Sequence, residues 1–269
     1  MEFSGNSLQY NRHFHESGLE SASFGQTLIT DIRGYSLLGK VPDPMKTPAI
    51  DYRKLTLSNL ASPEFSHLIL LLGWVGYFIA FYLTETLIPR DACHIIHCPL
   101  DDTIPFWEGF VIPYVAWYLL VAGSLAYFAF YNVESFKKLM TYIIITQAVA
   151  VAVYILYPSR QDLRPSTFPR DNIFTRTVGL LYTVDTNTNV FPSLHVGFSL
   201  AILSVWSKEK EVSRLWKVSV AIFVVLVCLS TVFIKQHSVL DVLAAIVMCL
   251  AAELLVYGRY YCTKGMQSI

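Results

Sequence analysis

The sequence predicts an all-α, polytopic membrane protein built as a bundle of six transmembrane helices, and three observations predict it. Of the 269 residues, 54% are hydrophobic and only 15% charged, with a mean hydropathy of +0.47, whereas soluble chains carry about a quarter charged residues. Six apolar segments approach the roughly 20 residues that a helix needs to cross a hydrocarbon core of ~30 Å. Runs such as 142–157 also lack the polar stripe of a helix lying on a soluble core.

The elements follow in chain order. Residues 1–60 are polar, with Gly, Ser, Asn and scattered Pro and no clear period. They read as a cytoplasmic tail, partly disordered or lying along the membrane surface. No apolar run follows a basic start, so no cleavable signal peptide is expected, and the first apolar run acts as an uncleaved membrane signal. Residues 61–269 form the membrane domain, with spans at about 67–88, 109–131, 139–157, 191–206, 218–234 and 239–257. The fourth is short and begins with Pro192, which suits the first turn of a helix.

Charge sets the orientation, because cytoplasmic loops are enriched in Lys and Arg. Fourteen of the 20 basic residues fall in the N-terminal segment, the connections after spans two and four, and the tail. The other six are Arg90, Arg160, Arg164, Arg170, Arg176 and Lys235. Both termini are therefore expected in the cytoplasm, with the connection 158–190 and the turn before His237 on the exoplasmic face. Net charge is zero, which supplies no global attraction to nucleic acid; the partner that composition indicates is a membrane lipid.

Ionisable residues at a membrane are costly and tend to be functional. His195, in Phe191-Pro192-Ser193-Leu194-His195, opens span four, and His237, in Lys235-Gln236-His237-Ser238, opens span six. The expected topology puts both at one membrane face with the loop that holds Arg164. His237 and Asp241 are four apart and share a helix face. The carboxylate can fix the tautomer of the imidazole and leave its second nitrogen free to attack. His195 has a side-chain chemistry suited to protonating a leaving alkoxide near neutral pH. Two helix N-termini offer amide N–H groups to a phosphate, Arg164 a bidentate clamp and Lys235 a point charge. The bland alternatives are an interfacial histidine, a structural His–Asp hydrogen bond and cations that snorkel to headgroups; the joint occurrence favours chemistry. In the first exoplasmic loop, Cys93-His94-Ile95-Ile96-His97-Cys98 leaves open a disulfide, a metal site or neither.

These residues resemble the type 2 phosphatidic acid phosphatase (PAP2) superfamily over roughly residues 65–258. Its three motifs are Lys, six residues, Arg-Pro; Pro-Ser-Gly-His; and Ser-Arg, five residues, His, three residues, Asp. Arg164-Pro165 matches the end of the first. Pro192-Ser193-Leu194-His195 matches the second with Leu in place of Gly, and Ser230, His237 and Asp241 match the third. Tyr157 stands where the family has Lys, and Thr231 where it has Arg; Lys235 and Arg160 are candidates to replace those cations. The Phe-Pro-Ser-Leu-His form looks like the inositol phosphorylceramide synthase-like branch.

The resemblance implies a six-helix core and a two-step mechanism. His237, supported by Asp241, attacks phosphorus while His195 protonates the leaving oxygen; water or an alcohol then takes the group from the phosphohistidine. Arg164, Lys235 and the amides near Ser193 stabilise the transition state. The scheme requires no metal and no cofactor. The expected function is hydrolysis of a lipid phosphate, phosphatidate-like or polyprenyl. The alternatives are a lipid phosphotransferase of the inositol phosphorylceramide or sphingomyelin synthase type, and a non-enzymatic transporter or scaffold.

Overall fold

The computed structural model describes residues 47–267. Most of the polar segment expected to be a tail, residues 1–46, lies outside the described residues. The remainder of it forms short 3-10 turns docked on the bundle. Tyr52 Oη contacts His67 Nε2 at 2.7 Å and donates to the Ala129 carbonyl at 2.7 Å.

Among the described residues, eight α-helices follow: α1 (Leu72–Leu87), the short α2 (Pro99–Thr103), α3 (Val111–Tyr131), α4 (Val133–Leu156), α5 (Ile173–Val184), α6 (Leu194–Lys208), α7 (Arg214–Phe233) and α8 (Val239–Gln267). Polar caps set several starts. The Asn132 side chain accepts the Ser135 N–H ahead of α4, and Ser213 accepts the Trp216 N–H ahead of α7, satisfying amides that have no helical acceptor.

Among the described residues, five helical segments are long and apolar enough to cross a membrane, which makes the chain an integral membrane protein. Four of the five correspond closely to expected spans; the third, α4, begins at Val133, six residues before its expected start. The expected span four differs more. Helix α6 has 15 residues, about 22 Å at 1.5 Å per residue. Pro192 is not in its first turn: Ser193 is the N-cap and accepts the Val196 N–H, so the helix begins at Leu194.

The shortness of α6 goes with its central place. It packs against α3, α4, α7 and α8, and Val196, Phe198, Ala201, Ile202 and Val205 are all at most 2% exposed. Helix α1 is the opposite case. Leu72, Val75, Phe78, Ile79, Tyr82 and Leu87 are all at least half exposed. An apolar face of that extent is stable in hydrocarbon but not in water.

Close approach of α6 and α8 depends on Gly197. A Cβ placed there would lie 3.2 Å from Met248 Cε, and Cys249 Sγ contacts the Gly197 carbonyl at 3.5 Å. Small residues at such crossings let membrane helices pack closely. Gly197→Val is expected to cost about 1–3 kcal/mol through overpacking, read as a lower thermal midpoint in detergent; an unchanged midpoint would contradict the tight crossing.

At the end of the bundle that carries both histidines, the connections pair with each other. Strand β1 (His94–Ile95) runs parallel to β2 (Ser159–Arg160), and the Ser159 hydroxyl accepts the Phe191 N–H at 3.1 Å. The connection before α6 is thereby tied to the loop after α1. The Cys93–Cys98 segment forms neither a disulfide nor a cluster. Both thiols are free, the His94 ring stacks on Tyr157 at 4.2 Å, and His97 pairs with Asp102 at 2.9 Å. Among the described residues no group of three or more His, Cys, Asp or Glu is placed to hold a metal ion.

Candidate active site

His237 lies in the turn between α7 and α8. The chain leaves α7 through Lys235, whose φ of 56° is left-handed. The amides of Gln236 and His237 then both donate to the Thr231 carbonyl, at 2.9 and 3.0 Å. This turn delivers His237 two residues ahead of α8. Asp241, wholly buried in the first turn of α8, uses Oδ2 twice. It accepts the Ser238 N–H at 2.9 Å, as a capping carboxylate does, and lies 3.1 Å from His237 Nδ1. With Nδ1 donating to the carboxylate, the lone pair of Nε2 is the free one.

His195, the second residue of α6, brings its ring centroid to 5.9 Å from that of His237, with the planes at 60°. Its own ring is held between Tyr114 (4.5 Å) and Trp117 (4.2 Å), and its Nε2 is buried without a hydrogen-bond partner. The Ser193 N–H donates to the Asp241 carbonyl at 3.2 Å. The helix that carries one histidine is therefore bonded to the first turn of the helix that follows the other. Ser193 itself is fully buried as the cap of α6, so the first-turn amides of α6, not its hydroxyl, are the donors that this N-terminus has to offer an anion.

Arg164 and Lys235 have protein partners. The Arg164 guanidinium donates to the carbonyls of Tyr182, Asp185 and Thr186 and to Gln236 Oε1, all between 2.6 and 3.0 Å, and lies 4.4 Å above the Tyr182 ring. Burial draws it below the usual arginine range, and the nearby Asp185 opposes that shift. The Lys235 ammonium donates to the carbonyls of Asp101 (2.8 Å) and Ile104 (2.6 Å). Burial lowers its pKa too, with Asp101 and Asp102 opposing. Arg164 therefore braces the segment after α5 against Gln236, and Lys235 braces the loop after α1 against the His237 turn.

Asp101 is the residue that local pattern could not identify. It is 2% exposed. Its Oδ2 accepts Ser238 Oγ at 2.6 Å and the Cys98 N–H at 2.9 Å, and its Oδ1 accepts the Val239 N–H at 2.8 Å. Burial pushes its carboxyl up, but these hydrogen bonds outweigh it and leave the group below the usual carboxylate range. The N-terminus of α8, expected to offer amides to a phosphate, is thus already capped by a carboxylate from another loop. Asp101→Ala removes the cap and leaves buried donors unpaired, at about 1–3 kcal/mol. A lowered thermal midpoint is expected, with Asp101→Asn falling less; equal midpoints for wild type and Asp101→Ala would refute the capping role.

A cavity of about 500 Å³ opens beside the two histidines. Its polar end is lined by His195, His237, Gln236 and Asp185, and its other end by Trp74, Phe81, Leu125 and other apolar side chains of α1, α3 and α6. No Lys or Arg is among the described residues that line it. Asp185 Oδ2 accepts Tyr114 Oη at 2.6 Å and Gln236 Nε2 at 3.2 Å. Tyr114, Trp117 and Asp185 belong to no motif; only folding places them at the histidines.

The family model described as PAP2 superfamily matches residues 110–255, more than half of the chain and a stretch containing both histidines and Asp241. No curated protein and no solved structure matches the chain.

Proposed function

The chain belongs to the PAP2 superfamily, whose members are generally phosphatases or phosphotransferases, and from that premise we propose that it is a membrane enzyme that removes a phospho-group from a lipid through a phosphohistidine on His237. The observation that carries this reading is the 5.9 Å approach of the two imidazoles at the polar end of a cavity whose other end is apolar. An amphiphile fits such a space with its phosphate at the histidines and its chains among the aromatic and aliphatic residues.

His237 Nε2 attacks phosphorus, and the lipid oxygen leaves with a proton from His195. Asp241 stabilises the imidazolium that forms, and the α6 amides at Leu194 and His195 face the charge that builds on the phosphoryl oxygens. Arg164 acts from behind Gln236, adding a positive field without direct contact. In the second step water attacks phosphorus, His195 takes its proton and the P–N bond breaks. Hydrolysis of a lipid phosphate is the first reading. Transfer to a lipid alcohol, with the same histidines, is the second. It is favoured by the lack of Lys or Arg in the cavity lining, because a monoester dianion needs more positive charge than a diester.

The test is a rapid acid-free quench after incubation with mixed phospholipid vesicles, followed by mass analysis of the peptide containing residue 237. A phosphoryl or phosphodiester adduct on His237, absent from His237→Ala, is the expected result; turnover without any adduct-forming requirement for His237 would defeat the proposal. The distribution of basic residues supports a topology with both termini in the cytoplasm and the site on the exoplasmic face. In sealed right-side-out vesicles, tags at either terminus should then resist protease until the membrane is permeabilised.

A further inference from the structure

We infer that α5 is an interfacial helix whose outward face lies among the acyl chains of the membrane leaflet at the histidine end of the bundle. Ile173, Leu180 and Val184 make that lipid contact. The inference does not depend on the chemistry assigned to the histidines.

Helix α5 is apolar on two opposite faces. It belongs to a connection between spans, and a helix that packs one face on a protein and shows the other to water is polar on the second. The inner face of α5 is accounted for. Val178 is wholly buried in a cluster with Val111, Tyr114 and Ile234, and Tyr182 Oη donates to the Ile234 carbonyl at 2.6 Å. Positions 173, 177, 180 and 184 share the outer face. Ile173, Leu180 and Val184 on that face are 69%, 65% and 77% exposed. The two edges of this stripe differ. Arg176 and Thr183, both exposed, flank it on one side, and Phe174 and Leu181 flank it on the other. A helix with one polar edge and one apolar edge beside an apolar stripe is built to lie flat at the headgroup boundary, polar edge towards water. Arg176 is held on that edge by Asp171 at 2.9 Å, and an arginine there places its charge among headgroups.

Depth decides what covers the stripe. Helix α3 has 21 residues, about 31 Å at 1.5 Å per residue, which matches a hydrocarbon core of ~30 Å. Its first turn therefore stands at the edge of that core. Helix α5 packs on α3 and on the turn at 108–110 just before it, and the cluster of Val178 with Val111 and Tyr114 sets it level with that first turn. Ile112 and Val115, in the same turns of α3, are 58% and 41% exposed and face lipid. The stripe on α5 continues this lipid-facing surface. Trp107, half exposed just ahead of α3, suits the headgroup level at which tryptophan collects. A second copy of the chain is a poorer occupant, because three aliphatic side chains on a 12-residue helix fall well short of the ~800 Å² per partner of a stable interface. Val184 closes the stripe and also lines the cavity beside the histidines, so the rim of that cavity stands at the level of the acyl chains.

The experiment uses the purified full-length chain in phosphatidylcholine vesicles doped with a phospholipid that carries a photoactivatable diazirine, placed either in an acyl chain or in the headgroup. Irradiation is followed by mass analysis of the labelled positions, with Val75 and Phe78 of α1 as the lipid-facing reference. Expected is acyl-probe labelling of Ile173, Leu180 and Val184 comparable to that of the reference and several-fold above that of Thr183, with Arg176 and Thr183 taking label from the headgroup probe. Acyl-probe label on α1 and none on the three α5 residues overturns the inference. A second measurement replaces Leu180 with benzoylphenylalanine, at a position outside the cavity and on the open face of the helix. A lipid adduct at residue 180 supports the assignment. A covalent dimer in place of that adduct shows that another copy covers the face and overturns it, as does a folded variant that yields neither. If that variant does not purify as folded protein, the labelling of the wild type decides alone.

Discussion

His237→Ala is expected to lower turnover of any lipid donor by a factor of about 10⁴–10⁶, the range seen when a nucleophile that works as part of a hydrogen-bonded unit is removed. The fold should survive, because the turn around residue 237 is held by main-chain bonds to the Thr231 carbonyl and by the capping of α8 by Asp101. The imidazole contributes one side-chain bond, to Asp241. The measurement is diacylglycerol release under single-turnover conditions, with the thermal midpoint as control for folding. Loss of activity with a preserved midpoint is the expected pair of results. A variant that is folded and retains more than about a hundredth of the wild-type rate would mean that the phospho-group never resides on this nitrogen, since that loss is too small for a missing nucleophile.

His195→Gln is expected to cost about 10²–10⁴, the usual contribution of general acid–base catalysis. Its signature differs from that of His237→Ala. His195 protonates the leaving oxygen, so its loss matters least when that oxygen needs no proton. A donor with an acidic phenol in place of the lipid alcohol should recover most of the formation rate of the His237 adduct in His195→Gln, and none of it in His237→Ala. Equal losses for both leaving groups would move His195 from acid to a packing role, which its contacts with Tyr114 and Trp117 would then explain. Glutamine keeps a polar side chain of similar reach in that aromatic slot, which limits the packing change.

Much of the fold was legible because the signals that carry it are local. A helix in hydrocarbon must satisfy its own backbone and show apolar side chains all round, so a run of about 20 apolar residues identifies itself wherever it lies. The His237–Asp241 pair was legible as a spacing of four, but the expected shared helix face was not what joins them: His237 lies in the turn two residues before α8, and the turn held on the Thr231 carbonyl, with Asp241 capping the Ser238 N–H, brings ring and carboxylate to 3.1 Å. Helix α6 was less so. Its sequence reads as a short span, and only the packing shows that it can be short because it is enclosed by α3, α4, α7 and α8 and exposes little to lipid.

The cations show where such reading stops. From charge and motif position, Arg164 and Lys235 look like ligands for a phosphate, yet each meets backbone carbonyls, 18 to 22 residues away for Arg164 and more than 130 for Lys235. Asp101 lies 137 residues from the serine it caps, and no spacing rule relates the two.

Composition, hydropathy and spacing by themselves determined that this is a helical membrane protein with a His–Asp pair at a helix start and a second histidine at another. The tertiary structure alone decided that the two imidazoles meet at 5.9 Å, that the N-terminus of α8 is already occupied by Asp101, and that the described residues lining the cavity beside the histidines include a carboxylate and no Lys or Arg. The reason is physical. Helix periodicity and membrane partition act on neighbouring residues, whereas the partner of a charged side chain is whichever donor or acceptor folding brings within about 3 Å, at any distance along the chain.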